Sequence, residues 1–96
     1  MKEKIALFPG SFDPITKGHE SVVLRALPMF DKIVIAIGSN NAKNSVFSLE
    51  KRIEWIRQTF AGYDNIEIST FNSLTIDYCK EIGAKYILRG LRNSVD

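Results

Sequence analysis

The chain has 96 residues, enough for one small domain with one core and too few for two. Its 45% hydrophobic and 25% charged residues are ordinary for a globular protein, and a formal net charge of +2 is too small to argue for a nucleic-acid partner. No apolar run approaches the roughly 20 residues that span a bilayer, and the apolar stretch after Met1-Lys2-Glu3-Lys4 is too short for a signal peptide, so we expect a cytoplasmic protein with no membrane partner.

Ile5-Ala6-Leu7-Phe8 is a short apolar run stopped by Pro9-Gly10 and reads as a buried strand. From Gly18 the spacing becomes helical, with Val22, Val23, Ala26, Leu27 and Phe30 on one face. Pro28 ends that helix by about Phe30. Ile33-Val34-Ile35-Ala36-Ile37 is a continuous apolar run, suited to a parallel strand covered on both faces, and Gly38 closes it. The polar stretch from Ser39 to Val46 reads as a loop. Ser48 is an N-cap for a helix carrying Leu49, Ile53, Ile56 and Phe60, with Gly62 as its stop. Asn65-Ile66-Glu67-Ile68-Ser69 alternates as a strand with one less buried face. Asn72 or Ser73 would cap a third helix that buries Ile76, Cys79 and Ile82 and ends at Gly83. Cys79 is the single cysteine, so no intrachain disulfide can form, and its apolar-periodic place suits buried packing. Tyr86-Ile87-Leu88 is a fourth strand. Strict alternation of strand and helix predicts an α/β protein: a Rossmann-like open parallel sheet of four strands, with helices on both faces.

In such a sheet, ligands bind beyond the carboxyl ends of the strands. The unusual residues fall there: Gly10-Ser11-Phe12-Asp13-Pro14 and Gly18-His19 after strand one, Lys43 after strand two, Ser73-Leu74-Thr75 after strand three, and Arg89-Gly90-Leu91-Arg92 after strand four. Glycines, hydroxyls, a histidine and cations gathered at one edge suit a polyanion, most simply a nucleoside triphosphate. Gly10 lets the backbone turn sharply, Ser11 offers a hydroxyl, and Gly18 opens a helix whose first N–H groups favour negative charge. His19 lies in that first turn. Alone, each glycine could simply make a turn and His19 could simply cap or pack; together they favour a phosphate site. Neither the Walker A order nor the three-glycine dinucleotide fingerprint is present.

The run Pro9-Gly10-Ser11-Phe12-Asp13-Pro14, with Thr16-Lys17-Gly18-His19, resembles the T/HxGH signature of the nucleotidyltransferases, relatives of class I aminoacyl-tRNA synthetases. Nicotinate-mononucleotide adenylyltransferases usually carry histidine where this chain has Thr16. Threonine there, Arg89-Gly90-Leu91-Arg92 downstream, and Phe47-Ser48-Leu49-Glu50-Lys51-Arg52 between them resemble the pantetheine-phosphate adenylyltransferase family, along the whole chain. The resemblance implies transfer of AMP from ATP to 4'-phosphopantetheine, giving dephospho-coenzyme A and pyrophosphate. It implies that Ser11, Phe12, His19, Gly90, Leu91 and Arg92 contact ATP, with His19 stabilising the transition state. It implies that Ser11, Lys43, Thr75 and Arg89 serve the phosphopantetheine side. It further implies Mg²⁺ held by ligand oxygens without a protein metal cage, and a homohexamer.

That family continues with a further strand and a helical segment bearing an isoleucine-serine-serine-threonine/serine loop on the ATP phosphates, so residues 1–96 read as a nucleotidyltransferase domain truncated at its C-terminus. Two other readings stand beside this one. One is a sister nucleotidyltransferase with a different acceptor; the other is a non-catalytic nucleotide- or coenzyme-A-binding module.

Overall fold

A computed structural model describes residues 3–38 and 45–89. Four parallel strands form one sheet in the order β3-β2-β1-β4: β1 is Ile5–Gly10, β2 Lys32–Gly38, β3 Ile66–Phe71 and β4 Tyr86–Ile87. Helices α1 (Lys17–Ala26), α2 (Leu49–Thr59) and α3 (Thr75–Ile82) connect them. The first two crossovers step outward from β1 and the third returns past it to β4. Right-handed crossovers therefore put α1 and α2 on one face and α3 on the other.

Side-chain alternation fills both faces. Ala6, Phe8, Ile33, Ile35 and Ile37 pack with Val23 and Ala26 of α1 and with Ile56 of α2. Ile5, Leu7, Val34 and Ala36 pack with Tyr78 and Cys79 of α3. Every residue from Ile33 to Ile37 is at most 2% exposed, which is why the β2 run is continuous rather than alternating. Burial also pushes the Cys79 thiol up, away from its reactive thiolate form.

The structure refines several boundaries. β1 continues through Pro9 to Gly10 instead of stopping before them. The Ile5 and Leu7 carbonyls accept bonds from Lys85 and Leu88, so by alternation Pro9 faces the same side, past Ile87, where the β4 ladder has ended. Its missing N–H is not needed there. Helix α1 gives way to a 3-10 turn at Leu27–Met29 that accommodates Pro28. Ser48 caps α2 by accepting from Lys51 N–H, as expected. That helix ends at Thr59 with Phe60 as its C-cap, two residues before the Gly62 stop, and Gly62 does not take the positive φ of a left-handed cap. Gly83 does take that role after α3, at φ 78°.

Helix α3 departs most from expectation. Its N-cap is Leu74, with no side-chain cap bond, rather than Asn72 or Ser73. Its buried face is Tyr78 and Cys79, with Ile82 partly covered, while Ile76 is 61% exposed. Tyr78 takes the inner position because its ring stacks on Phe71 at 4.9 Å and its hydroxyl lies 2.6 Å from Ser69 Oγ. A face built on Tyr78 and Ile82 turns Ile76 outward.

Ile56→Ala is expected to lower unfolding free energy by about 2–5 kcal/mol, whereas Ile76→Ala stays within about 0.5 kcal/mol. Urea denaturation of the two variants checks this contrast; equal losses would contradict the assigned faces.

Candidate active site

The turn after β1 is built around Phe12. Its backbone has φ 46°, a region non-glycine residues enter rarely, and its side chain is 2% exposed. The ring meets Phe8 at 5.2 Å and His19 at 4.9 Å, both edge to face. It also lies against Gly10: a Cβ there would come within 3.1 Å of the ring. A side chain at Gly10 would therefore have to displace the Phe12 ring by a few tenths of an ångström. Gly18 differs. A Cβ there would meet only Thr16 Oγ1, at an ordinary 3.5 Å, so packing within the described residues does not demand glycine.

Thr16 and His19 form a reciprocal capping box at the start of α1. The Thr16 N–H donates to His19 Nδ1 at 2.9 Å, and the His19 N–H donates to Thr16 Oγ1 at 3.4 Å. His19 thus both caps and packs.

On the opposite face of the sheet, a cavity of about 400 Å³ opens at the strand ends. Pro9, Gly10, Ser11, Gly38, Phe71, Ser73, Leu74 and Thr75 line it. Ser11 and Thr75 thus border one cavity, while Phe12 and His19 stand on the α1 side of the same turn. With so little of it exposed, Phe12 acts by holding the turn and His19 rather than by presenting its ring. Arg89 is exposed just beyond β4. Lys43, Gly90, Leu91 and Arg92 lie outside the described residues.

Two residues that sequence reasoning passed over tie the site together. Arg52 is 2% exposed although charged. It donates through Nη1 to the Ser11 carbonyl at 2.9 Å and through Nε to the Phe47 carbonyl at 3.0 Å. The Asp13 carboxylate accepts the N–H groups of Val46 and Phe47, the latter at 2.8 Å. Asp13 and Arg52 thereby join the β1 turn to the segment leading into α2. Desolvation would raise the Asp13 pKa, but the Val46 and Phe47 N–H groups and the Arg52 charge outweigh it and leave the pKa lowered. The available signal was an arginine in the first turns of α2, among residues whose spacing marks a buried face. Trp55 packs on Phe47, with ring centroids 4.9 Å apart.

The chain is thus a parallel α/β sheet protein with a glycine turn, a hydroxyl and a capped histidine at its carboxyl edge. Residues 7–96 match the model of the cytidylyltransferase-like family, and the chain belongs to that family. It is 53% identical over 93 residues to a protein of Cytophaga hutchinsonii named phosphopantetheine adenylyltransferase, covering 97% of this chain and 62% of that one. Proteins of the same name from Christiangramia forsetii and Leptospira biflexa are 48% and 51% identical, covering 97% and 98% of this chain and 62% and 59% of theirs. The chain thus spans about three-fifths of the length of these relatives. In fold it resembles the lipopolysaccharide core biosynthesis protein of Thermoplasma volcanium (TM-score 0.66, 16% identity, covering 90% of this chain and 73% of that one).

The network makes two predictions. Ionised Asp13 contributes stability above its unfolded pKa of 3.8, and that contribution disappears as pH falls through the lower folded value. Asp13→Asn should therefore show a shallower loss of stability across this acid range, measured by denaturation at stepped pH. Arg52→Met removes both carbonyl bonds and is expected to cost about 1–3 kcal/mol in urea denaturation, because the Ser11 and Phe47 carbonyls lose that donor.

Proposed function

We propose that the full-length protein transfers AMP from ATP to 4'-phosphopantetheine, forming dephospho-coenzyme A and pyrophosphate. The observation that carries this reading is the position of Ser11. It borders a cavity shared with Thr75 on one face, and it directly precedes the Phe12 turn that supports His19 on the other. One hydroxyl so placed can serve two phosphorylated substrates that approach from opposite sides. The name phosphopantetheine adenylyltransferase carried by these relatives supports phosphopantetheine as the acceptor.

In this reading, an oxygen of the phosphopantetheine phosphate attacks the α-phosphorus of ATP. A new P–O bond forms, the bond from the α-phosphorus to the bridging oxygen breaks, and pyrophosphate leaves with the electron pair. The nucleophile is already anionic at neutral pH, so the site needs no general base. It needs two anions held in line and donors for the charge that spreads between them. Ser11, Lys43, Thr75 and Arg89 serve the phosphopantetheine side; Ser11, His19, Gly90, Leu91 and Arg92 serve ATP, with Phe12 supporting the turn. In this reading Mg²⁺ enters as part of the MgATP substrate, held by its phosphate oxygens. No helix among the described residues is long and apolar enough to cross a membrane. A cytoplasmic setting follows from the need for ATP, and a homohexamer follows from the family resemblance.

Pyrophosphate release should require both ATP and 4'-phosphopantetheine, and should fall away when CTP or nicotinate mononucleotide replaces the respective substrate. His19→Ala is expected to lower kcat by about 10²–10³-fold, with the Kd for ATP much less affected. Parallel losses of rate and binding would count against a transition-state role. Binding without turnover in the full-length protein would favour the non-catalytic module.

A further inference from the structure

We infer that His19 works as a neutral hydrogen-bond donor through Nε2, in a tautomer fixed by Thr16, which is therefore a positioning residue. The tautomer stands on geometry alone; its catalytic use rests on the adenylyl-transfer reading.

A main-chain N–H can only donate. The Thr16 N–H lies 2.9 Å from His19 Nδ1, so that nitrogen presents a lone pair. A neutral imidazole with its Nδ1 lone pair exposed carries its proton on Nε2. An imidazolium would set two N–H groups against each other. The Thr16 hydroxyl, 3.1 Å from the same Nδ1, can donate to it as well. The reciprocal bond from the His19 N–H to Thr16 Oγ1 keeps the two residues in register. Phe12 and Phe8 then fix the ring, with centroids 4.9 and 6.1 Å from that of His19. Helix capping and the protonation pattern of the ring are thus one interaction. A donor held in place before charge develops needs little reorganisation when it does, which is the efficient form of electrostatic stabilisation.

The capping box itself suggests the discriminating substitutions. Glutamine is an ordinary residue at this box position. Its amide oxygen can accept from Thr16 N–H while its NH₂ donates onward, so His19→Gln keeps both halves of the proposed role. His19→Glu keeps only the acceptor. His19→Lys supplies a cation and no acceptor.

The direct test is ¹⁵N NMR of the His19 ring in the full chain at neutral pH. The expected pattern is an unprotonated shift at Nδ1 and a protonated shift at Nε2. Thr16→Val, which removes the hydroxyl and keeps the main-chain donor, should retain that tautomer. A protonated Nδ1 in the wild-type chain would overturn the assignment. In the pyrophosphate assay, His19→Gln should lose less than the about 10²-fold expected for a missing donor, while His19→Glu and His19→Lys lose at least that much. A lysine variant more active than the glutamine variant would sink the neutral-donor role. Thermal melts of Gln and Glu variants, both able to close the box, separate this effect from misfolding. If the wild-type protein released no pyrophosphate, the adenylyl-transfer reading would fail, and the NMR result would still decide the tautomer.

Discussion

The site depends on the burial of Phe12 against Gly10. At the end of a central strand the chain must turn towards α1 without exposing the core beneath it. Phe12 does this by entering a positive-φ conformation and folding its ring back over the preceding glycine. The ring joins the core on the α1 face and supports His19 from below. Removal of a side chain from water by roughly 2–3 kcal/mol of apolar burial can offset the cost of an unfavourable backbone conformation. Glycine at position 10 leaves that ring room, since a Cβ would press on it at 3.1 Å.

A second constraint lies in the Arg52 guanidinium. A buried cation is costly unless it is paired, and here two of its donors meet main-chain carbonyls and the charge of Asp13 acts on it. The arrangement makes the β1 turn and the start of α2 interdependent. The Ser11 carbonyl is drawn towards α2 on one face while its residue borders the cavity on the other. A ligand that presses on Ser11 therefore acts on a braced backbone rather than on an isolated loop. Preorganisation of this kind lowers the ordering cost of binding.

Much of the fold was legible because hydrophobic period and punctuation agreed. The Ile33–Ile37 run, the Ser48 cap and the left-handed Gly83 all fall where local chemistry put them. Errors arose where two local signals competed. Asn72 and Ser73 are good caps in isolation, yet α3 begins later because Tyr78 must reach Ser69 and Phe71. Ile76 looked buried by spacing and lost its place to that tyrosine. Pro9 looked like a stop, but a missing N–H matters only where a partner carbonyl stands opposite, and β4 has ended there.

The sequence by itself determined the alternation of strands and helices and the carboxyl-edge turn. These are local: each follows from side-chain period, backbone freedom or a cap within one turn. Only the tertiary structure decided which side of the turn each site residue faces. Ser11 and Thr75 share a cavity on one face and His19 stands with Phe12 on the other, because crossover handedness assigns α1 and α3 to opposite sides of β1. The bracing by Arg52 likewise emerged only in three dimensions. Its partner carbonyl is 41 residues away, and no local pattern specifies a hydrogen bond to a distant main chain.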